Sequence, residues 1–448
     1  MRQAAQTMQG KLTGTDAGFR GVGTDSRRVQ AGELFFALRG PTFDGADFVP
    51  QALADGAAGA VSATAVDVDA PWIRVRDTRV ALGRLGQDWR RRMSATVIGI
   101  TGSNGKTTLK ELLAHCLAPV APTLATEGNL NNDIGLPLML SRLSPQDRYA
   151  VLEMGANHAG EIAWLAELAE PDIVAITNAG PAHLEGFGSL EGVATAKGEI
   201  LQGARRPATA VLNADDEFFP TWRAMAQDID ILTFGYSNGA DIRIRHAQAT
   251  GDGIAFDLDM QGETFGIRLP LPGLHNAMNA CCAAAVALAA GLRPAQVVAG
   301  LRRAVPVSGR LCPLPGLHNA RLFDDSYNAN PASVIAAAQF VAAQPGRGWL
   351  VLGDMGELGN DAAGLHAAVG ADIRDAGVER LYATGPLARH AVDAFGEGGQ
   401  WYGDIAELID ALRGEIGTGI NVLVKGSRSM RMERVVQALA AEPAAGGQ

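Results

Sequence analysis

Apolar positions along the chain fall into short, often β-branched runs separated by glycine turns and by alanine-rich helical stretches. Thr96-Val97-Ile98-Gly99-Ile100-Thr101 is the plainest run, with the composition of a parallel strand buried on both faces. A glycine turn follows it, and then a helical pattern over residues 109–117. Further strands are predicted at 149–152, 173–177 and 210–212, with helical segments between them, which implies a largely parallel sheet covered by helices. Downstream, 322–324, 349–353, 381–384 and 421–424 repeat the alternation and predict a doubly wound unit. Upstream, the shorter runs 34–38 and 59–61 lie among glycine turns and predict a small α/β unit.

Two interruptions divide these patterns. The basic stretch Trp89-Arg90-Arg91-Arg92-Met93 closes the first block, and Val305-Pro306-Val307-Ser308-Gly309 closes the second. The expected organisation is therefore α/β with three domains: a small N-terminal domain (1–93), a central domain with a parallel sheet (94–307) and a C-terminal Rossmann-like domain (308–448). A chain of 448 residues is long enough for this, since single cores rarely grow past roughly 250–300 residues. The ending 442–448 reads as frayed.

Charge and cysteine usage narrow the function. A formal charge of −10 argues against a nucleic-acid partner, because neutralising phosphates needs a basic surface, though a local basic pocket remains compatible with an anionic substrate. Cys116, Cys281, Cys282 and Cys312 show no CxxC spacing and read as buried small side chains in a reducing compartment. The first residues lack the apolar core of a signal peptide, and the longest apolar stretch, 280–292, is short of the ~20 residues that span a bilayer. A cytoplasmic protein without membrane insertion is expected.

The candidate chemistry begins at Gly102-Ser103-Asn104-Gly105-Lys106-Thr107-Thr108. A strand, a glycine turn and a helix put several backbone N–H groups and a positive helix end around one point, as a polyphosphate requires. Lys106 is placed to reach the terminal phosphates of ATP and Thr107 to hold Mg²⁺. The loop departs from the general G-x-x-x-x-G-K-[ST] form, with Ile100 where the first glycine stands. Glu153 ends the strand at 149–152, where α/β sheets place ligand-contacting groups; it reads either as an oxygen ligand for Mg²⁺ or as a solvated carboxylate. Asn276 and Asn279 lie three apart on one helical face, fit to read adenine edges, to fix a loop, or, for Asn276, to cap the helix. Thr24-Asp25-Ser26-Arg27 suits a uridine diphosphate end and equally a surface turn. By itself Lys197 reads as an exposed helix lysine and His183 as a structural loop histidine.

The phosphate loop resembles that of the Mur ligase family, in which a GxxGKT[TS] loop opens the central domain. Thr24-Asp25-Ser26-Arg27, Asp324-Asp325-Ser326-Tyr327-Asn328-Ala329-Asn330-Pro331, Leu352-Gly353-Asp354-Met355-Gly356-Glu357-Leu358-Gly359 and Val424-Lys425-Gly426-Ser427-Arg428-Ser429-Met430 extend the resemblance over almost the whole chain. It implies an ATP-dependent amide ligase that activates a carboxylate as an acyl phosphate, with UDP-MurNAc-tripeptide and D-alanyl-D-alanine as substrates; a monomer is expected. It implies that Glu153 and His183 hold two Mg²⁺ together with Lys197, carbamylated by CO₂. It also implies that Arg310 and Asp325 approach phosphate and ribose on domain closure. Asn328, Asn330, Lys425, Ser427 and Arg428 become candidates for orienting D-alanyl-D-alanine or the peptide carboxylates. No DNPR segment of a diamino-acid-adding ligase occurs, and Asp-Asp-Ser-Tyr-Asn-Ala-Asn-Pro stands where folylpolyglutamate synthases carry a DGAHNP-like segment. Those relatives, and a non-ligase P-loop ATPase, are the alternatives.

Overall fold

The computed structural model describes residues 1–181, 183–203, 207–250 and 253–441; the stretch 442–448, expected to fray, lies outside them. Three sheets follow one another along the chain, giving the expected three-domain α/β architecture. The first holds β1 (Lys11–Thr13), β2 (Gly21–Gly23), β3 (Glu33–Phe36), β4 (Gly59–Ser62) and β5 (Trp72–Arg74), in the order β1-β5-β4-β3-β2. Only β1 runs antiparallel to its neighbour.

The central sheet contains β6 (Thr96–Thr101), β7 (Thr123–Ala125), β8 (Tyr149–Glu153), β9 (Ile173–Ile176), β10 (Thr209–Asn213), β11 (Asp230–Gly235), β12 (Ile242–Ala249), β13 (Ile254–Met260) and β14 (Glu263–Leu269). Their order is β14-β13-β12-β11-β10-β9-β6-β8-β7, parallel from β7 to β12. β6 alternates as a two-sided strand should: Ile98 and Ile100 pack under the helices Lys106–Leu117 and His275–Ala289, while Val97 enters the opposite core with Leu136 and Ile162. The sheet also carries an antiparallel extension, β12 to β14, where the sequence reading placed no strands. Its signal was present: Ile254, Phe256, Leu258 and Met260 point inward, with Ala255, Asp257 and Asp259 between them less buried, a period of two.

The first and second units meet through the helix Thr78–Arg91, whose last turn enters the basic stretch 89–93 expected to close the first block. Arg90 is buried there and donates to the Ala169 carbonyl (3.0 Å) and to Asp172 (3.1 Å). The third sheet, β15 (Cys312–Pro315), β16 (Arg321–Asp325), β17 (Arg347–Gly353), β18 (Arg380–Thr384), β19 (Gly399–Tyr402) and β20 (Ile420–Lys425), runs β15-β16-β20-β17-β18-β19. All its pairs are parallel except β15 with β16. The carboxyl end of β16 leads into a turn whose Asn330 side chain donates to Asn104 of the phosphate loop (2.9 Å), so the third domain sits against the central sheet edge where β6, β8 and β9 end. Among the described residues no helix is long and apolar enough to cross a membrane.

Candidate active site

The phosphate loop needs its two glycines for steric reasons. Gly102 has φ +144°, and a Cβ there would lie 1.9 Å from Thr177 Oγ1; Gly105 has φ +83°, and a Cβ would lie 2.3 Å from Asn279 Oδ1. The departure at Ile100 is explained by its place in β6, buried in the core before the turn begins. The loop is tied to the end of β9: Ser103 N–H donates to Asn178 O (3.0 Å), Asn104 N–H to Asn178 Oδ1 (3.0 Å) and the Thr177 hydroxyl to Asn104 O (2.6 Å). Lys106 folds back to donate to the Gly102 carbonyl and to Ser103 O (3.4 Å). Desolvation lowers its pKa to about 8, with Arg310 pulling the same way and Glu153 opposing.

Glu153 is 1% exposed, so the solvated alternative is removed. Its backbone N–H donates to Thr126 Oγ1 (2.9 Å), and its Oε2 receives long contacts from the Thr107 hydroxyl (3.4 Å) and Asn131 (3.5 Å). Its Oε1 is buried without a hydrogen-bond partner, an arrangement that costs free energy unless something positive meets it. His183 begins the turn Leu184–Phe187 at φ +55°, and its Nδ1 pairs with Glu357 of the third domain. That contact holds the Glu357 carboxyl below the usual glutamate range.

Lys197 is 1% exposed on the helix Leu190–Gly198, which corrects the exposed-lysine reading. Its Nζ lies 5.2 Å from the Phe187 ring centroid. Burial, helped by the charge of Lys106, brings its pKa down to about 7 against the opposing pull of Glu199 and Glu161. The sequence carries no sign of this because a lysine on a short alanine- and glycine-rich helix looks solvated; the helix is covered in the fold, where Trp222 donates to the Ala194 carbonyl (2.9 Å) and Phe187 lies over the Lys197 ammonium.

Two cavities meet at the loop. The smaller, about 320 Å³, is lined by Asn276, Asn279, His275, Phe234, Arg310 and Asp325, among others, together with Asn104, Gly105 and Thr108. Asn276 donates to the Pro272 carbonyl (2.7 Å) and Asn279 to Asn276 Oδ1 (2.9 Å), so both amides are held in place and neither caps the helix end. The larger, about 540 Å³, brings together Lys106, Thr107, Glu153, His183, Arg310, Asn328, Asn330, Lys425, Ser427 and Arg428. Lys425 lines both cavities, its ammonium 2.7 Å from Asp325 Oδ2 and 2.9 Å from the Asn328 carbonyl. The Arg310 guanidinium donates to Thr107 Oγ1 across the domain boundary (3.3 Å). Four cations thus converge on one space in an acidic protein.

Not everything gathers there. Thr24, Asp25, Ser26 and Arg27 line neither cavity; Asp25 and Arg27 pair with each other (2.8 Å) in an exposed turn. Lys197 also lines neither. Conversely, Asn129, Asn131 and Asn132 line the larger cavity without having been singled out. Their signal is a run of amides just past β7, at the ligand edge of the sheet. Among the described residues no three His, Cys, Asp or Glu side chains gather as a metal cluster.

This geometry is that of a nucleotide-dependent enzyme whose Rossmann-like domain closes on a phosphate loop. Family models agree: the Mur ligase middle domain matches residues 100–287, the Mur ligase glutamate ligase domain 309–428 and the Mur ligase family catalytic domain 18–114. The chain is 41% identical over 442 residues to UDP-N-acetylmuramoyl-tripeptide–D-alanyl-D-alanine ligase of Escherichia coli (strain K12), covering 98% of each chain. Among solved structures it is similar to MurF from Acinetobacter baumannii, with TM-score 0.92, 36% identity and 97% coverage of each chain. It is also similar to MurF ligase from Thermotoga maritima in complex with ADP, with TM-score 0.82, 27% identity and coverage of 94% and 96%. The chain belongs to the Mur ligase family and is an ATP-dependent ligase that forms a peptide bond.

Proposed function

We propose that this protein joins D-alanyl-D-alanine to UDP-N-acetylmuramoyl-tripeptide, with cleavage of ATP to ADP and phosphate, and that it works as a cytoplasmic monomer. The observation that carries the reading is the convergence of Lys106, Arg310, Lys425 and Arg428 with the buried Glu153 carboxylate in one cavity, in a chain 41% identical to a ligase of that name.

A carboxylate is a poor electrophile, and phosphorylation converts its oxygen into a leaving group. In our assignment the loop 102–108 cradles the phosphates, while Asn276, Asn279 and Asp325 of the smaller cavity hold the nucleoside. Lys106 and Arg310 offset charge on the terminal phosphoryl group as the substrate carboxylate attacks it. The amine of D-alanyl-D-alanine then attacks the acyl phosphate, and phosphate departs. Asn328, Asn330, Ser427, Arg428 and Lys425 line the side from which the amine would come, with fixed donors suited to its carboxylate. The Asn330–Asn104 and Arg310–Thr107 contacts close the third domain over the reaction, which keeps water from the acyl phosphate. Thr24 to Arg27 remain our candidates for the uridine diphosphate end on the chemistry of their side chains alone.

The orphaned Glu153 Oε1 suits a divalent cation, and Thr107 and His183 line the same cavity. Bound Mg²⁺ would supply charge neutralisation at the phosphates. A buried amine with a pKa near 7 is neutral often enough to take up CO₂, so on the family resemblance we assign Lys197, although it lines neither cavity, as the residue whose carbamate would offer an anionic oxygen to that cation. The deciding experiment supplies UDP-MurNAc-tripeptide, D-alanyl-D-alanine, ATP and Mg²⁺ and looks for the pentapeptide by mass. Its appearance is expected. ATP turnover only with a different acid or amine would overturn the substrates and leave the ligase class intact.

A further inference from the structure

We propose that Tyr327 is a positioning residue: its ring holds the guanidiniums of Arg310 and Arg428 at the wall of the larger cavity without itself neutralising them, which leaves Arg310, unpaired among the described residues, for anionic substrate groups. The anions in question are those of the reaction proposed above, and to that extent the inference rests on it.

The arrangement starts in the linker. Gly309 N–H donates to Asp324 Oδ2 (2.8 Å), and Leu311 N–H donates to Asp325 Oδ1 (3.1 Å), so Arg310 leaves a backbone pinned on both sides. Tyr327 N–H donates to Gly309 O (3.2 Å), and a Cβ at Gly309, where φ is +74°, would lie 3.0 Å from Tyr327 Cβ. Linker and turn therefore pack as one unit. The Arg310 guanidinium lies 4.1 Å from the Tyr327 ring centroid and reaches Thr107 in the phosphate loop. Arg428, from the turn after β20, lies 5.7 Å from the same centroid.

What holds these cations matters. Among the described residues Arg310 has no carboxylate within ion-pair distance, and Arg428 has only Glu433, at 3.4 Å. A carboxylate in place of the ring would neutralise Arg310 and compete with phosphate for it. The face of an aromatic ring attracts a guanidinium through its quadrupole without cancelling the charge. Two like charges also repel across a shared cavity, and a ring in contact with both offsets part of that cost. A tyrosine at this turn thus aligns one cation at the phosphate loop and another near Asn328 and Ser427, on the side assigned to the incoming amine.

The test compares Tyr327→Phe, which keeps the ring, with Tyr327→Leu, which keeps bulk and loses it. In protein labelled with ¹⁵N-arginine and free of substrate, the Nε–H resonance of Arg310 should be ring-current shifted in wild type and in Tyr327→Phe, and unshifted in Tyr327→Leu. Turnover should then fall roughly three- to thirtyfold in Tyr327→Leu, the range expected from one cation–π contact, with ADP affinity kept and Tyr327→Phe within about threefold of wild type. Equal activity of the two variants would overturn the proposal, as would an unshifted Arg310 resonance in wild type. Should Tyr327→Leu fail to fold, Tyr327→Met makes the same comparison. If wild type forms no pentapeptide, the proposed reaction falls, while the stack still stands or falls by the resonance.

Discussion

Replacing Lys425 with methionine would remove one half of a buried ion pair at the junction of the two cavities. The ammonium lies 2.7 Å from Asp325 Oδ2, with the lysine side chain 4% and the aspartate 15% exposed. Unit charges at that separation attract by about 6 kcal/mol at an effective dielectric of about 20, most of which is offset by desolvating both groups. The pair as a whole therefore contributes little. Breaking it is another matter, because the remaining buried charge keeps its desolvation cost, and such losses run to about 3–5 kcal/mol. Leu311 N–H still donates to Asp325 (3.1 Å), which places the expected loss near the lower end, about 3 kcal/mol. The loss should fall on the third domain, since Asp325 and Lys425 are opposite one another where β16 pairs with β20. Urea titration followed by hydrogen exchange of peptides from those two strands would read it domain by domain. Adding Asp325→Asn to Lys425→Met removes the orphaned charge and should recover most of the stability. A single variant that loses less than about 1 kcal/mol, or a double variant no more stable than the single, would refute this account of the pair.

Lys197 should make stability depend on pH. Its folded pKa of about 7 lies below the ordinary 10.5, so the unfolded chain binds more protons between those values and stability rises with pH across that window. Lys197→Met should therefore raise the melting temperature most at or below about pH 7, with the gain fading toward about pH 10; a gain independent of pH would contradict the burial argument. Arg310→Ala should lower turnover roughly 10²–10³-fold while ADP binds nearly as before, measured by phosphate release and calorimetry. A parallel loss of ADP affinity would instead make Arg310 a ground-state binding group.

Legibility in the sequence followed the range of the interactions. β6, β8, β9 and β10 were readable because a strand buried on both faces must be apolar throughout, and Thr96 to Thr101 leaves few other options. The meander β12 to β14 is harder to read although Ile254 to Met260 alternates clearly, because polar residues at alternate positions break the continuous apolar run that marks β6. Asn129, Asn131 and Asn132 form a visible run of amides, but β7 is too short to stand out as a strand, so their place at the ligand edge shows only in the fold.

The three α/β units, the phosphate loop and the candidate side chains at the carboxyl ends of strands are legible along the chain. These depend on neighbours a few residues apart, whose spacing and polarity are written in order along the chain. Which candidates meet is set by the packing of the three units. The tertiary structure buried Lys197 and, by desolvation helped by the charge of Lys106, moved its titration from 10.5 down to about 7. It left Glu153 Oε1 without a partner, and it carried Arg310 across a domain boundary to Thr107, 203 residues away in the chain. Burial and encounter are sums over neighbours remote in sequence, so no local pattern records them.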